Sequence, residues 1–321
     1  MTDKLTPDYR RIAQMEQNIR DFHRFFDSNG WQKLGLFLRN QVKPYYFIRP
    51  PVWRILLRGM LSRDRALPAF TSTGVVRSGT SSMSNYIMQH PAVVLPIAKE
   101  LNANIPFLNF IRAQFPTNQQ IEAVRKRYGV AMTGDCSPVM PSITAVHWLR
   151  QINPDMKVVV TLRDPAERVF SHWRWYKLIA SRFDHDALWH NMPDVETSLR
   201  MEMDDFYRGS CGFTTFSGTG GTGFLRHSCY LPFLKQLYRQ VPAERIFIVV
   251  AEEFFADPSR IARDVYRFLG LPDYQPVPVE ETNPSPKVVI SDELRQEVRQ
   301  FFRPLNQELY EFLDRDLGWD R

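Results

Sequence analysis

At 321 residues, with 44% hydrophobic residues and a formal charge of +6, the chain can build one large or two ordinary domains. It leans toward anionic ligands, but too mildly to argue for nucleic acid. Cys136, Cys211 and Cys229 are too few for a disulfide scaffold and lack metal-ligand spacing, so no metal is expected. The polar opening MTDKLTPDYRRIAQ suggests no secretory leader, and no run of about 18 apolar residues could span a membrane. A cytoplasmic protein is the expectation.

Residues 8–42 are charged and helically periodic through Ile12, Met15, Ile19, Phe22 and Phe26, with a break at Asn29-Gly30. Residues 43–63 interleave Tyr45, Tyr46, Trp53, Leu56 and Leu57 with Arg49, Arg54, Arg58 and Arg63. Such a stretch suits a peripheral contact with an anionic membrane, or a helix laid on the main domain with snorkelling arginines. Residues 1–66 are therefore expected to form a helical, aromatic-basic extension, and 67–321 the main domain.

Phe70–Val76 predicts a buried strand and Asn85–His90 a helix. Between them runs Gly74-Val-Val-Arg77-Ser78-Gly79-Thr80-Ser81. Both glycines and the final hydroxyl fit the P-loop pattern, but Thr80 stands where the lysine belongs. Glycines and a helix start can still cradle a phosphate, with Thr80, Ser81 and Ser82 adding hydroxyls and Arg77 a charge. A plain turn before a helix fits the same residues. Val93–Leu95 is expected to be extended, followed by helices to Arg127, a strand tip at Val130–Gly134 and a helix over Ser142–Ile152. Lys157–Leu162 predicts a fully buried strand. The alternation implies βαβ units around a parallel sheet, with ligands beyond the strands' carboxyl ends.

Leu162-Arg163-Asp164-Pro165-Ala-Glu167-Arg168-Val-Phe-Ser171 follows. Arg163 at a strand end and Ser171 two helical turns on suit one phosphate. The same residues suit a helix capped by Asp164, with Glu167 and Arg168 solvated. Gly209–Gly223 is glycine-rich, either a substrate loop or a connector. Arg245–Ala251 predicts a strand, 252–258 a turn into a helix ending at Leu269-Gly270, and 291–317 a pair of amphipathic helices.

The two anion motifs together resemble the sulfotransferase superfamily that uses 3′-phosphoadenosine 5′-phosphosulfate (PAPS), in its carbohydrate (heparan-sulfate-type) and bacterial branch. The loop resembles that branch's G-x-x-K-G-G-T, and the second motif its L-R-[DN]-P-x-[ED]-R-x-x-S. Phe268-Leu-Gly-Leu271, Pro304-Leu-Asn306, Leu309-Tyr310 and Gly318-Trp319 match its C-terminal pattern. The resemblance implies an α/β, P-loop-like three-layer fold, with a mainly parallel sheet between helices. It implies sulfuryl transfer from PAPS, without a metal, to a glycan, glycolipid or small hydroxyl-bearing acceptor, leaving PAP.

By the resemblance, Arg77, Ser78, Gly79, Thr80, Ser81 and Ser82 bind the 5′-phosphosulfate, and Arg163 and Ser171 the 3′-phosphate. Lys287 lies in a loop that closes on the nucleotide. Glu100, in the branch's Lys-Glu pair, is the general base, with Arg77 assisting the leaving group. Lys99, His172, Arg174, Arg226 and Tyr230 are implied on the acceptor side. An exposed Lys-Glu pair on a helix is the other reading of Lys99-Glu100, and His172 and His90 are rival bases. Three positions depart from the pattern. Arg77 replaces the usual lysine, Ser78 replaces the first paired glycine, and Asp135-Cys-Ser-Pro138 replaces Glu-Lys-Thr-Pro. Two other classes compete: a P-loop kinase or nucleotide hydrolase, and a non-catalytic protein that binds anionic glycans or membrane surfaces.

Overall fold

The computed structural model describes residues 5, 7–42, 50–61, 64–101, 107–138, 144–182, 193–209, 223–279 and 289–320. The N-terminal part supplies α1 (Tyr9–Asp27), α2 (Gly30–Val42) and α3 (Val52–Leu61). The sheet begins with β1 (Phe70–Gly74), followed by α4 (Thr80–Met88), α5 (Leu108–Arg112), α6 (Asn118–Tyr128) and β2 (Gly134–Asp135). Next come α7 (Thr144–Ile152), β3 (Lys157–Leu162), α8 (Pro165–Arg182), α9 (Val195–Tyr207), α10 (Tyr230–Gln240) and β4 (Ile246–Val250). Helices α11 (Ala251–Ala256), α12 (Pro258–Leu269) and α13 (Asp292–Leu313) complete it.

The four strands lie in the order β2-β1-β3-β4 and all pair in parallel, with Thr71 opposite Asp135 and Val158, and Val160 opposite Ile248. Alternation of side chains sends Val158, Val160 and Leu162 into one apolar layer with α7 and α10, and Val159 into the other with α4 and α12. This is the expected α/β three-layer arrangement. The chain leaves β1 toward β2 but leaves β3 toward β4, so the switch point lies between the carboxyl ends of β1 and β3.

Several expected boundaries shift. The first strand stops at Gly74, where the chain turns into the loop. Of the expected strand at 130–134 only Gly134 belongs to the ladder, continued by Asp135, while Met132 makes an isolated bridge with Val93. The turn expected after Glu252 is the short helix α11, and Asp257 then caps α12 with Pro258 in its first turn. The expected helix pair at 291–317 is the single helix α13. It carries Pro304 inside because Leu294, Val298, Phe301, Phe302 and Leu309 keep one buried face along its length.

Helix α1 is fastened to the end of α4 by the Arg11 guanidinium, which donates to the carbonyls of His90 (3.0 Å) and Val93 (2.8 Å). On α3, Arg58 donates to Ala113 O and Phe115 O at 2.9 and 2.8 Å. Among the described residues no helix is long and apolar enough to cross a membrane.

Candidate active site

The loop after β1 is shaped by exclusion. A Cβ on Gly74 would lie 2.6 Å from Thr161 O and 2.7 Å from both Ser78 Oγ and Thr80 Cγ2, so only glycine lets the loop close against β3. Ser78 folds inward, its hydroxyl donating to Val75 O at 2.8 Å, which explains how a serine is accommodated in place of the family's glycine. Gly79, at φ 92°, starts α4. Thr80, Ser81 and Ser82 form the first turn of α4, where backbone N–H groups lack intrahelical acceptors. Arg77 is held at φ 75°, a left-handed conformation that costs a non-glycine residue about 1–3 kcal/mol and is retained only when neighbours enforce it.

Those neighbours come from the second motif. Arg77 Nε donates to Ser171 Oγ at 3.0 Å, and Arg163 Nη1 donates back to Arg77 O at 3.2 Å. The two motifs are therefore one hydrogen-bonded unit at the switch point. Asp164 caps α8, accepting from Ala166 N at 2.9 Å, and burial pushes its carboxyl up to about 6.

Arg168, which sequence alone left as a solvated charge or part of a motif, is fully buried. Its guanidinium donates to Val76 O (2.9 Å), to Ser228 Oγ (2.5 Å) and to Phe224 O, and meets His172 Nδ1 at 3.2 Å. Desolvation lowers its pKa to about 10. A charge placed one turn into a helix gave no hint of burial. Its signal was its place three residues before Ser171 in a motif that already held one arginine.

The residues assigned to the acceptor side divide. His172 is buried beneath Phe224 and stacked on His227 with ring centroids 6.0 Å apart, and burial, then the Arg168 charge, keeps its pKa well below the usual value. Tyr230 is also buried, its hydroxyl donating to Arg163 O at 2.8 Å. Tyr230 thus braces Arg163 from inside, and His172 lies against Arg168. Arg174 and Arg226 are partly exposed, with Arg174 Nε donating to Phe170 O at 3.1 Å. His90 has both ring nitrogens engaged, with Ala92 N at 3.1 Å and Pro272 O at 3.0 Å, which takes it out of contention as a base. Lys287 and most of the glycine-rich stretch 209–223 lie outside the described residues.

Lys99 and Glu100 sit in a loop, not on a helix, at the carboxyl end of β2. The Lys99 side chain is 1% exposed and that of Glu100 27%, and Lys99 Nζ lies 2.5 Å from Glu100 Oε1. Cys136 N donates to Lys99 O at 3.2 Å, while Leu101 N donates to Asp135 Oδ1 at 3.2 Å and to Ser137 Oγ at 3.1 Å. Asp135 is fully buried, and desolvation raises it to about 6 despite the hydroxyls of Ser137 and Thr71. The Asp-Cys-Ser-Pro departure thus supplies a bracket that holds the Lys-Glu corner, a role that composition could not reveal. No group of three or more His, Cys, Asp or Glu side chains forms a metal site among the described residues.

The parallel sheet flanked by helices, with its glycine loop between β1 and α4, defines an α/β protein of the P-loop-like class. The sulfotransferase domain family matches residues 72–283, and the chain belongs to that family. Heparan sulfate glucosamine 3-O-sulfotransferase 3B1 of Mus musculus is 23% identical over 193 residues, 53% of this chain and 45% of its own length. The chain thus spans less than half of that relative. The membrane-associated sulfotransferase kil1 of Dictyostelium discoideum is 23% identical over 323 residues, 79% of this chain and 66% of its own. The crystal structure of a sulfotransferase from Alicyclobacillus acidocaldarius superposes with a TM-score of 0.53 at 22% identity, over 80% of this chain and all of the other, a likeness of fold.

Proposed function

We propose that the chain transfers a sulfuryl group from PAPS to a hydroxyl or amine of a glycan or glycolipid, in line and with Glu100 as general base. The observation that carries this reading is the hydrogen-bonded unit of Arg77, Ser171 and Arg163. A donor with phosphate groups at both ends of its ribose needs two anion subsites at a fixed separation, and this unit couples the two. The donor supplies an activated sulfuryl group on a phosphate leaving group. Gly74 and Gly79 fit it by letting the loop close against β3 and α11, and the start of α4 would supply N–H groups where negative charge grows as the phosphate departs.

In this reading Arg163 and Ser171 hold the 3′-phosphate while Arg77, with Thr80, Ser81 and Ser82, holds the 5′-phosphate. The Glu100 carboxylate takes the acceptor's proton as its oxygen or nitrogen attacks sulfur, and Lys99 fixes that carboxylate in place. The glycan preference follows from the Lys-Glu pair and from the heparan sulfate relatives. Residues 1–66 form a helical extension of a transfer domain spanning 67–321.

A thermal-shift titration with PAP and with ATP, both without magnesium, tests the donor, and labelled PAPS with a panel of glycan, lipid and phenolic acceptors tests the transfer. Stabilisation by PAP together with label on a glycan is expected. Stabilisation by ATP alone would return the site to the kinase class.

A further inference from the structure

Helix α3 is amphipathic in the wrong sense for a helix packed on a core. Its apolar stripe, Val52, Trp53, Leu56, Leu57, Met60 and Leu61, recurs at helical spacing and points to solvent, with Met60 82% exposed. Its opposite side carries the fully buried Ile55 and Arg58, whose guanidinium is spent on Ala113 O and Phe115 O. Helix α2 repeats the pattern: Trp31 is 87% exposed, and Leu34, Phe37 and Leu38 are exposed beside it. The helices are tied together where Trp53 Nε1 donates to Gln41 Oε1 at 3.2 Å and Arg54 Nη1 to Gln41 O at 3.2 Å. An apolar surface of this extent marks something that covers it.

Charge identifies the occupant. From Gly30 to Arg63 the sequence has lysine and arginine at 33, 39, 43, 49, 54, 58 and 63 and no aspartate or glutamate. Lys33 and Arg39 are exposed on α2, Arg39 also within 3.7 Å of the buried Asp21, whereas Arg54 and Arg58 turn their guanidinium groups to carbonyls of the protein itself. A two-fold contact with a second copy would set this basic segment against itself, and an isologous interface must be self-complementary. An anionic bilayer satisfies both features, taking the apolar side chains below its headgroups and the cations at its surface.

We propose that the outward faces of α2 and α3 dock on an anionic membrane surface, holding the sulfotransferase domain against it. The inference is independent of which acceptor the domain sulfates. Full-length protein is sedimented with phosphatidylcholine vesicles that contain or lack phosphatidylglycerol. Pelleting with the anionic vesicles alone is expected, weakened by salt. The Trp53→Ser/Met60→Ser pair should reduce it roughly tenfold or more, as should Lys33→Glu/Arg39→Glu. Because Trp53 is bonded to Gln41 and Arg39 is ion-paired with Asp21 at 3.7 Å, circular dichroism must show each double variant folded at the assay temperature, which separates lost docking from lost folding. Equal binding to both vesicle types, or none, overturns the proposal. So does a wild-type dimer in sedimentation velocity that Trp53→Ser/Met60→Ser converts to monomer, which would assign the face to a second copy.

Discussion

Replacing Arg168 by alanine removes the buried cation that joins the loop after β1 to the start of α8. Val76 O and Phe224 O lose this guanidinium; the buried Phe224 O left without a partner costs about 1–3 kcal/mol, and the half-buried Val76 O less because water can reach it. Ser228 is better placed, because its hydroxyl also donates to Pro165 O at 3.3 Å. Against these losses stands the relief of a desolvated charge, visible in the lowered pKa of about 10. The balance is a destabilisation of about 2 kcal/mol, a sizeable share of the roughly 5–15 kcal/mol that holds a typical domain together. Urea unfolding followed by circular dichroism should show a lower midpoint with an unchanged slope. Arg168→Lys should recover only part of the loss, because an ammonium keeps the charge but lacks the planar fork. An alanine variant within about 1 kcal/mol of wild type would refute the account of Arg168 as the brace of the loop.

Glu100→Gln should lower the transfer rate by about 10²–10⁴ while leaving PAP affinity within about threefold, read by label transfer and calorimetry; full activity would remove Glu100 as base. Gly74→Ala should cost about 1–3 kcal/mol by overpacking against Thr161 O and should weaken PAP binding, because the loop must move to admit the methyl group. The pH dependence has opposing parts. Burial first, and the Arg11 charge as a lesser cause, lowers His90 to about 4, so between pH 6.5 and about 4 the unfolded chain takes a proton that the folded ring refuses, and acidification destabilises. Asp135 and Asp164, raised to about 6, hold a proton in the fold between about pH 6 and 4, and acidification there stabilises. The His90→Gln penalty in urea unfolding should therefore be smaller at pH 5 than at pH 7; a penalty independent of pH would contradict a ring held neutral.

What the sequence disclosed follows from where the physics is local. The strand at Lys157–Leu162 was legible to the residue because five consecutive apolar or β-branched side chains are buried there on both faces. The cap at Asp164 with Pro165 behind it was equally legible, since capping involves only neighbours. Strand β2 was harder to bound because only two residues join the ladder, and its edge position left no long apolar run. The stretch 291–317 read as a helix pair is one helix, because the tertiary packing of α13 overrides the local preference of Pro304. In the site, Arg77, Arg163 and Ser171 could be named from motifs, but the bonds between them could not. Arg168, Asp135 and the Tyr230 hydroxyl escaped for the same reason: each acts on a partner distant in sequence.

The wall behind the loop after β1 has a bearing on how the molecule is made. The space beside Gly79 is closed by Ala251 and Phe255, and the Asp164 amide is held by Glu252 Oε1 at 3.0 Å. Residues of α11 thus back a loop that left the ribosome long before them. During synthesis β1 and α4 emerge with one side of the cradle missing, and their apolar surfaces wait for β3, β4 and α11. Non-local closure of this kind is slow and leaves sticky intermediates. The loop after β1 therefore cannot take its final packing until α11 has been made and docked, so segments about 170 residues apart must close together.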